Sequence, residues 1–132
     1  MTLQERIAGV EERVARACAA SGRDVADVKV IAVTKYVSLE TVSAALEAGL
    51  EDIAESSWQD AEPKWNALGH KGSWHFIGHL KTNKVENVIG KFQYIYSLVR
   101  WSLARELHKK AEDAGIRLDV FLKLNIQGED TK

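Results

Sequence analysis

An α/β fold with a parallel sheet is predicted by two features of this chain. Short runs rich in β-branched and aromatic residues alternate with longer segments whose apolar positions recur at helical spacing. A helix comes first, and strand and helix then alternate, an order that favours parallel pairing through right-handed crossovers.

The elements follow in order. Thr2-Leu3-Gln4-Glu5 has the form of a capping box and opens a helix whose apolar positions Ile7, Val10, Val14, Ala17 and Cys18 recur until Ser21-Gly22 stops it. The apolar run Val28–Thr34 reads as the first strand and gives out at Lys35-Tyr36. Ser38 caps a second helix carrying Leu39, Val42, Ala45 and Leu46, which ends at Gly49. A short strand over Asp52–Glu55 precedes a helix from about Ser57, where Pro63 near the middle predicts a break or a shift.

Ser73–Ile77 is the third strand, closed by Gly78 and followed by a helix through Lys84–Ile89. The fourth strand, Tyr94–Leu98, leads to a helix from about Trp101 to Ala114, with Leu103, Leu107 and Ala111 on one stripe and a Glu106/Lys110 pair beside it. Asp119–Ile126 is the fifth strand, and no helix follows to cover it. Five strands suit a flavodoxin-like doubly wound domain, yet that missing cover leaves the pattern unfinished.

Composition limits the function. With 132 residues, 45% of them hydrophobic, the chain can build one core and one domain spanning residues 1–132. A net charge of -1 gives no general surface for nucleic acid or anionic membranes. The charged amino terminus lacks a signal sequence's apolar stretch, and no run approaches the ~20 apolar residues of a membrane span. Cys18 is the only cysteine, so no intrachain disulfide can form, and a soluble, cytoplasmic chain is expected.

Lys35 is the residue most suggestive of chemistry. The carboxyl end of a parallel strand faces the crevice where α/β proteins bind ligands. Partial desolvation there lowers a lysine's pKa, by up to ~3 to 5 units for a fully buried group. A neutral amine can form a Schiff base, which makes pyridoxal 5'-phosphate (PLP) the first cofactor to consider. The competing reading is a strand-end lysine snorkelling to solvent.

Other constellations are weaker. His75 and His79 lie four apart, but strand and turn separate them and no cysteine or near carboxylate completes a zinc set. His75 either faces the crevice or is an ordinary hydrogen-bonded histidine. Lys81, Lys84 and the amides of Thr82 and Asn83 could attract an anion, or form a solvated basic turn. No glycine-rich nucleotide loop occurs, and the four tryptophans read as packing residues.

Three segments carry a family resemblance: Val30-Ile31-Ala32-Val33-Thr34-Lys35, Trp74-His75-Phe76-Ile77-Gly78-His79-Leu80-Lys81-Thr82-Asn83-Lys84, and Asn125-Ile126-Gln127-Gly128-Glu129-Asp130-Thr131-Lys132. Together they resemble the PLP homeostasis protein family, whose members look like the barrel domain of alanine racemase standing alone. The resemblance implies that this chain is the N-terminal portion of a PLP-binding (β/α) TIM barrel, about five of eight units, preceded by a helix. It implies a PLP-binding protein that holds or hands on the cofactor, kept as a Schiff base on Lys35, with Ser56, His75 and Gly78 also at the cofactor.

Two positions depart from the family pattern. Ser56 stands where an amide is usual, in Ala54-Glu55-Ser56-Ser57-Trp58-Gln59-Asp60, and Ser97-Leu98-Val99 lacks the usual carboxylate. In the family the phosphate is held in the last third of a barrel that usually takes ~250 residues. The alternatives are an amino-acid racemase-like enzyme, or a fragment without cofactor binding. Open sheet edges, with the apolar Val120–Leu124 segment on one of them, predict self-association.

Overall fold

The computed structural model describes residues 1–124 and 126. Five parallel strands form one sheet in the order β1-β2-β3-β4-β5, each paired with its neighbour in sequence. The strands are β1 (Ala32–Val33), β2 (Asp52–Glu55), β3 (Ser73–Phe76), β4 (Tyr94–Leu98) and β5 (Asp119–Leu122). The helices are α1 (Leu3–Ser21), α2 (Leu39–Glu47), α3 (Trp58–Leu68), α4 (Val85–Val88) and α5 (Trp101–Ala114). This is the strand order of consecutive β/α units, and it excludes the crossover back to an inner edge that a doubly wound sheet requires.

Alternation along the strands divides the sheet into two faces. Ile53, Trp74, Phe76 and Ile95 point one way and pack with Val42, Ala61, Leu68, Val85, Leu103 and Leu107 from the helices. Phe92 meets Trp74 and Phe76 edge-on, with centroids 5.9 and 5.3 Å away. The opposite face carries Asp52, His75, Tyr94, Tyr96 and Phe121, aligned by the registers Ala54↔His75 and His75↔Tyr94.

Local signals set the helix ends. Thr2 accepts from the Glu5 amide while the Glu5 carboxylate accepts from Thr2, so the capping box forms, and Gly22 closes α1 in the left-handed region. Ser38 and Ser57 cap α2 and α3 through the Thr41 and Asp60 amides.

Five expectations are corrected. The first strand is two residues long, because the register Ala32↔Ile53 places Val28–Val30 opposite residues that precede β2. The fifth strand stops at Leu122; its Asn125 lies outside the described residues, as do residues 127–132 of the third resemblance segment. Pro63 neither breaks nor shifts α3, since it removes only the N–H that would donate to Gln59. The helix after Gly78 is a 3-10 turn, Thr82–Lys84, followed by the single-turn α4. Glu106 and Lys110 are not among the ion pairs of the described residues, whereas His108 Nε2 lies 3.3 Å from a Glu112 carboxylate oxygen on the same helix.

Candidate cofactor site at the carboxyl ends of the strands

Parallel strands deliver their following loops to one end of the sheet. Lys35 stands there, in a turn closed by the Val37 amide donating to the Thr34 carbonyl at 3.0 Å. Its side chain is exposed, which corrects the expected partial desolvation, and it joins no ion pair among the described residues. Tyr36 is 85% exposed with φ 63°, a left-handed conformation that costs a residue with a Cβ about 1–2 kcal/mol.

Beneath this turn lies a charged cluster that sequence reasoning missed. Lys64 of α3 is buried, and its ammonium donates to the Thr34 carbonyl at 2.8 Å, to Glu55 Oε2 at 3.0 Å and to Asp60 Oδ2 at 3.3 Å. Glu55, the last residue of β2, is fully buried and also accepts from the Thr34 hydroxyl. Asp60 accepts from the Tyr36 amide at 3.1 Å. Burial pushes the Glu55 carboxyl above its ordinary range, against the opposing pull of the Thr34 hydroxyl and Lys64. Asp60 is held below its ordinary range, chiefly by the Tyr36 N–H. The Asp60/Lys64 spacing on one helix was the available signal, but nothing local shows that this pair is turned inward.

Gly78 follows β3 and lies against the β2–α3 loop. A Cβ at this position would stand 2.6 Å from the Ser56 carbonyl carbon and 2.8 Å from its Cα, so the backbones meet where no side chain fits. Ser97 of β4 donates its hydroxyl to the Gly78 carbonyl, and Arg100 donates to the Leu80 carbonyl at 2.9 Å. Ser56, half-buried, and Gly78 are thereby adjoined at the mouth, and Ser97 anchors their loop.

His75 is placed differently. It is fully buried on the sheet face opposite the helices, stacked on Tyr94 with centroids 4.3 Å apart. Both ring nitrogens are engaged, Nε2 with Asp52 at 2.8 Å and Nδ1 with the Tyr96 hydroxyl at 2.7 Å. An ionised Asp52 can only accept, so Nε2 carries a hydrogen, and in the neutral ring Nδ1 accepts from Tyr96. Burial, with Tyr94 and Asp52 nearby, raises the Tyr96 hydroxyl's pKa above its ordinary value and keeps it a donor. His79 is exposed beside a groove of about 400 Å³ that Lys81 and Lys84 also line. Among the described residues no three His, Cys, Asp or Glu side chains converge on a metal position, and no helix is long and apolar enough to cross a membrane.

No protein-family model matches the chain. It is 38% identical over 133 residues to the PLP homeostasis protein of Aquifex aeolicus, covering 100% of this chain and 58% of the relative. It is 36% identical over 132 residues to that of Pseudomonas aeruginosa, covering 99% and 57%. The chain therefore spans less than three-fifths of these curated relatives. The crystal structure of an unknown protein from Bifidobacterium adolescentis superposes with TM-score 0.85 at 27% identity, covering 98% of this chain and 57% of that one. PipY of Synechococcus elongatus, in a structure with PLP bound, superposes with TM-score 0.74 at 25% identity, covering 88% and 56%. Over its whole length, this chain is homologous to the pyridoxal phosphate homeostasis protein family.

Proposed function

We propose that this chain is a cytoplasmic PLP-binding protein of PLP homeostasis that holds the cofactor as a Schiff base on Lys35. The reading takes residues 1–132 as one domain, corresponding to the N-terminal portion of a PLP-binding barrel. The observation that carries it is the position of Lys35: a primary amine without an ion-pair partner among the described residues, in the turn after β1, in a chain homologous to PLP homeostasis proteins.

The residues present fit the aldehyde end of the cofactor. PLP supplies an electrophilic aldehyde carbon. Lys35 would supply the primary amine that condenses with that carbon, a C=N bond replacing the carbonyl as its oxygen leaves with both amine hydrogens as water. Ser56 and Gly78 adjoin at the same mouth, where the reading places them beside the cofactor. His75 belongs to it as part of the sheet that supports the mouth, since both its nitrogens are already bonded.

The test is an absorbance titration with PLP, followed by borohydride reduction and peptide mapping. A reducible imine band that maps to Lys35 and disappears in Lys35→Ala is expected. Labelling scattered over surface lysines, unchanged in that variant, would overturn the reading.

The same reading extends to self-association with a second copy of the chain. All four residues of β5 are exposed, Phe121 at 52% and Leu122 at 66%, and β5 pairs only with β4 among the described residues. An apolar groove of about 510 Å³ lies beside it, lined in part by Leu98, Leu107, Ile116 and Val120. An unpaired apolar strand edge templates another strand. Light scattering at increasing protein concentration is expected to show a dimer or larger species that Leu122→Lys shifts toward monomer. A monomer mass throughout would contradict it.

A further inference from the structure

We infer that Lys64 is a positioning residue for Lys35, acting through the Thr34–Tyr36 turn together with Glu55 and Asp60. The inference rests on the reading of Lys35 as the amine that reacts with the cofactor aldehyde, and gives that amine a second, buried lysine that fixes where it stands.

The connections run to both sides of Lys35 and leave its side chain unengaged. On the amino side, Lys64 bonds the Thr34 carbonyl directly, and Glu55, its ion-pair partner, takes the Thr34 hydroxyl. On the carboxyl side, Asp60, also bonded to Lys64, takes the Tyr36 amide. One ammonium therefore organises the residues immediately before and after Lys35. The Tyr36 backbone is in the left-handed region, a conformation that persists only where surrounding bonds over-determine it, and the Asp60 carboxylate supplies such a bond.

A buried ion pair can often be replaced by packed apolar side chains with no loss of stability, so its presence is weak evidence of a stabilising role. Geometric specification is the role left to it, and nucleophilic addition depends steeply on geometry: a misplacement of about 1 Å can cost ~100-fold in rate.

Asp60→Ala, Asp60→Asn and Lys64→Met in this chain test the inference in two ways. In the cofactor-free protein, amide hydrogen exchange at Tyr36 and Val37 is expected to speed up in Asp60→Ala while Ile53 and Trp74 keep their protection, and in Lys64→Met to speed up more at Tyr36 and Val37 than at Ile53 and Trp74. With PLP, Asp60→Ala is expected to form the Lys35 adduct about 10- to 100-fold more slowly, with label drifting to other lysines. Asp60→Asn, which keeps an acceptor oxygen for the Tyr36 amide, is expected to recover most of the rate and selectivity. If Lys64→Met does not fold, the two Asp60 variants decide the matter.

Wild-type labelling of Lys35 with unchanged rate, selectivity and turn exchange in Asp60→Ala would overturn the positioning role and leave the function reading intact. Absence of any Lys35-specific label in the wild type would overturn the function reading, and with it the role of Lys64 toward the cofactor. The exchange arm reports on the turn independently of PLP, so the two failures are distinguishable.

Discussion

Lys64→Met is expected to cost about 3–5 kcal/mol at neutral pH, the loss that follows when one partner of a buried ion pair is removed. The substitution leaves the Glu55 carboxylate fully buried with the Thr34 hydroxyl as its remaining donor. Burial already raises its pKa above 4.5, and removing Lys64 takes away one of the interactions that hold it down. Above the folded-state pKa both folded and unfolded chains carry the charge, and the folded chain bears the whole penalty. As pH falls through that pKa toward 4.5, the folded state takes up a proton that the unfolded state does not, and stability returns. Urea unfolding at pH 7 and pH 5 should therefore show a smaller deficit relative to wild type at the lower pH. A loss below about 1 kcal/mol, or one independent of pH, would show that Glu55 finds another partner or gains water.

Gly78→Ala is expected to destabilise the protein by about 1–3 kcal/mol, the usual cost of forcing an added group into a packed site. The opposing effect is known: where the backbone suits both residues, replacing glycine stabilises by about 0.4–1 kcal/mol through the unfolded chain. Gly78 is not among the residues with positive φ, so this benefit applies in principle. The contact decides the sign, because the new methyl would lie 2.6 Å from the Ser56 carbonyl carbon, and backbone cannot swing aside as a flexible side chain can. Relief requires the β2–α3 loop to move away from the β3 loop, which the Ser97 and Arg100 bonds hold from the other side. Denaturant unfolding checks the sign. Equal or greater stability in the variant would mean that the Ser56 loop yields freely.

Where local chemistry decides, the structure was legible from sequence. The α1 cap, the Ser38 and Ser57 starts, β4 and α5 lie where their own residues placed them. The limits of β1 and β5 were not legible, since a strand extends only as far as its neighbour offers hydrogen-bonding partners, and that neighbour's start lies elsewhere in the chain. Pro63 misled because the helix forfeits a single backbone hydrogen bond there and keeps its apolar face, with Ala61, Lys64 and Leu68 buried.

At the site, Lys35 was found from its position after an apolar run, and its exposure agrees with the competing reading of a strand-end lysine reaching solvent rather than with partial desolvation. The role of Gly78 depends on the close passage of Ser56, 22 positions earlier. Lys64 was the largest omission. A lysine following proline on a helix gives no sign of burial, and only the folded arrangement brings it against Glu55 and the carbonyl of Thr34, 30 positions away.

The sequential order of the sheet bears on how the molecule is made. Because, among the described residues, each strand after the first pairs with the one just before it in the chain, a polypeptide leaving the ribosome can lay down each new strand against an edge its predecessor has already presented. The first two closures join residues 21 positions apart, Ala32↔Ile53 and Ile53↔Trp74, so the chain entropy lost at each of these steps is that of a short loop. Assembly is then vectorial, and the exposed face of the newest strand is an obligatory stage of growth at which a nascent chain is most open to capture by a neighbour.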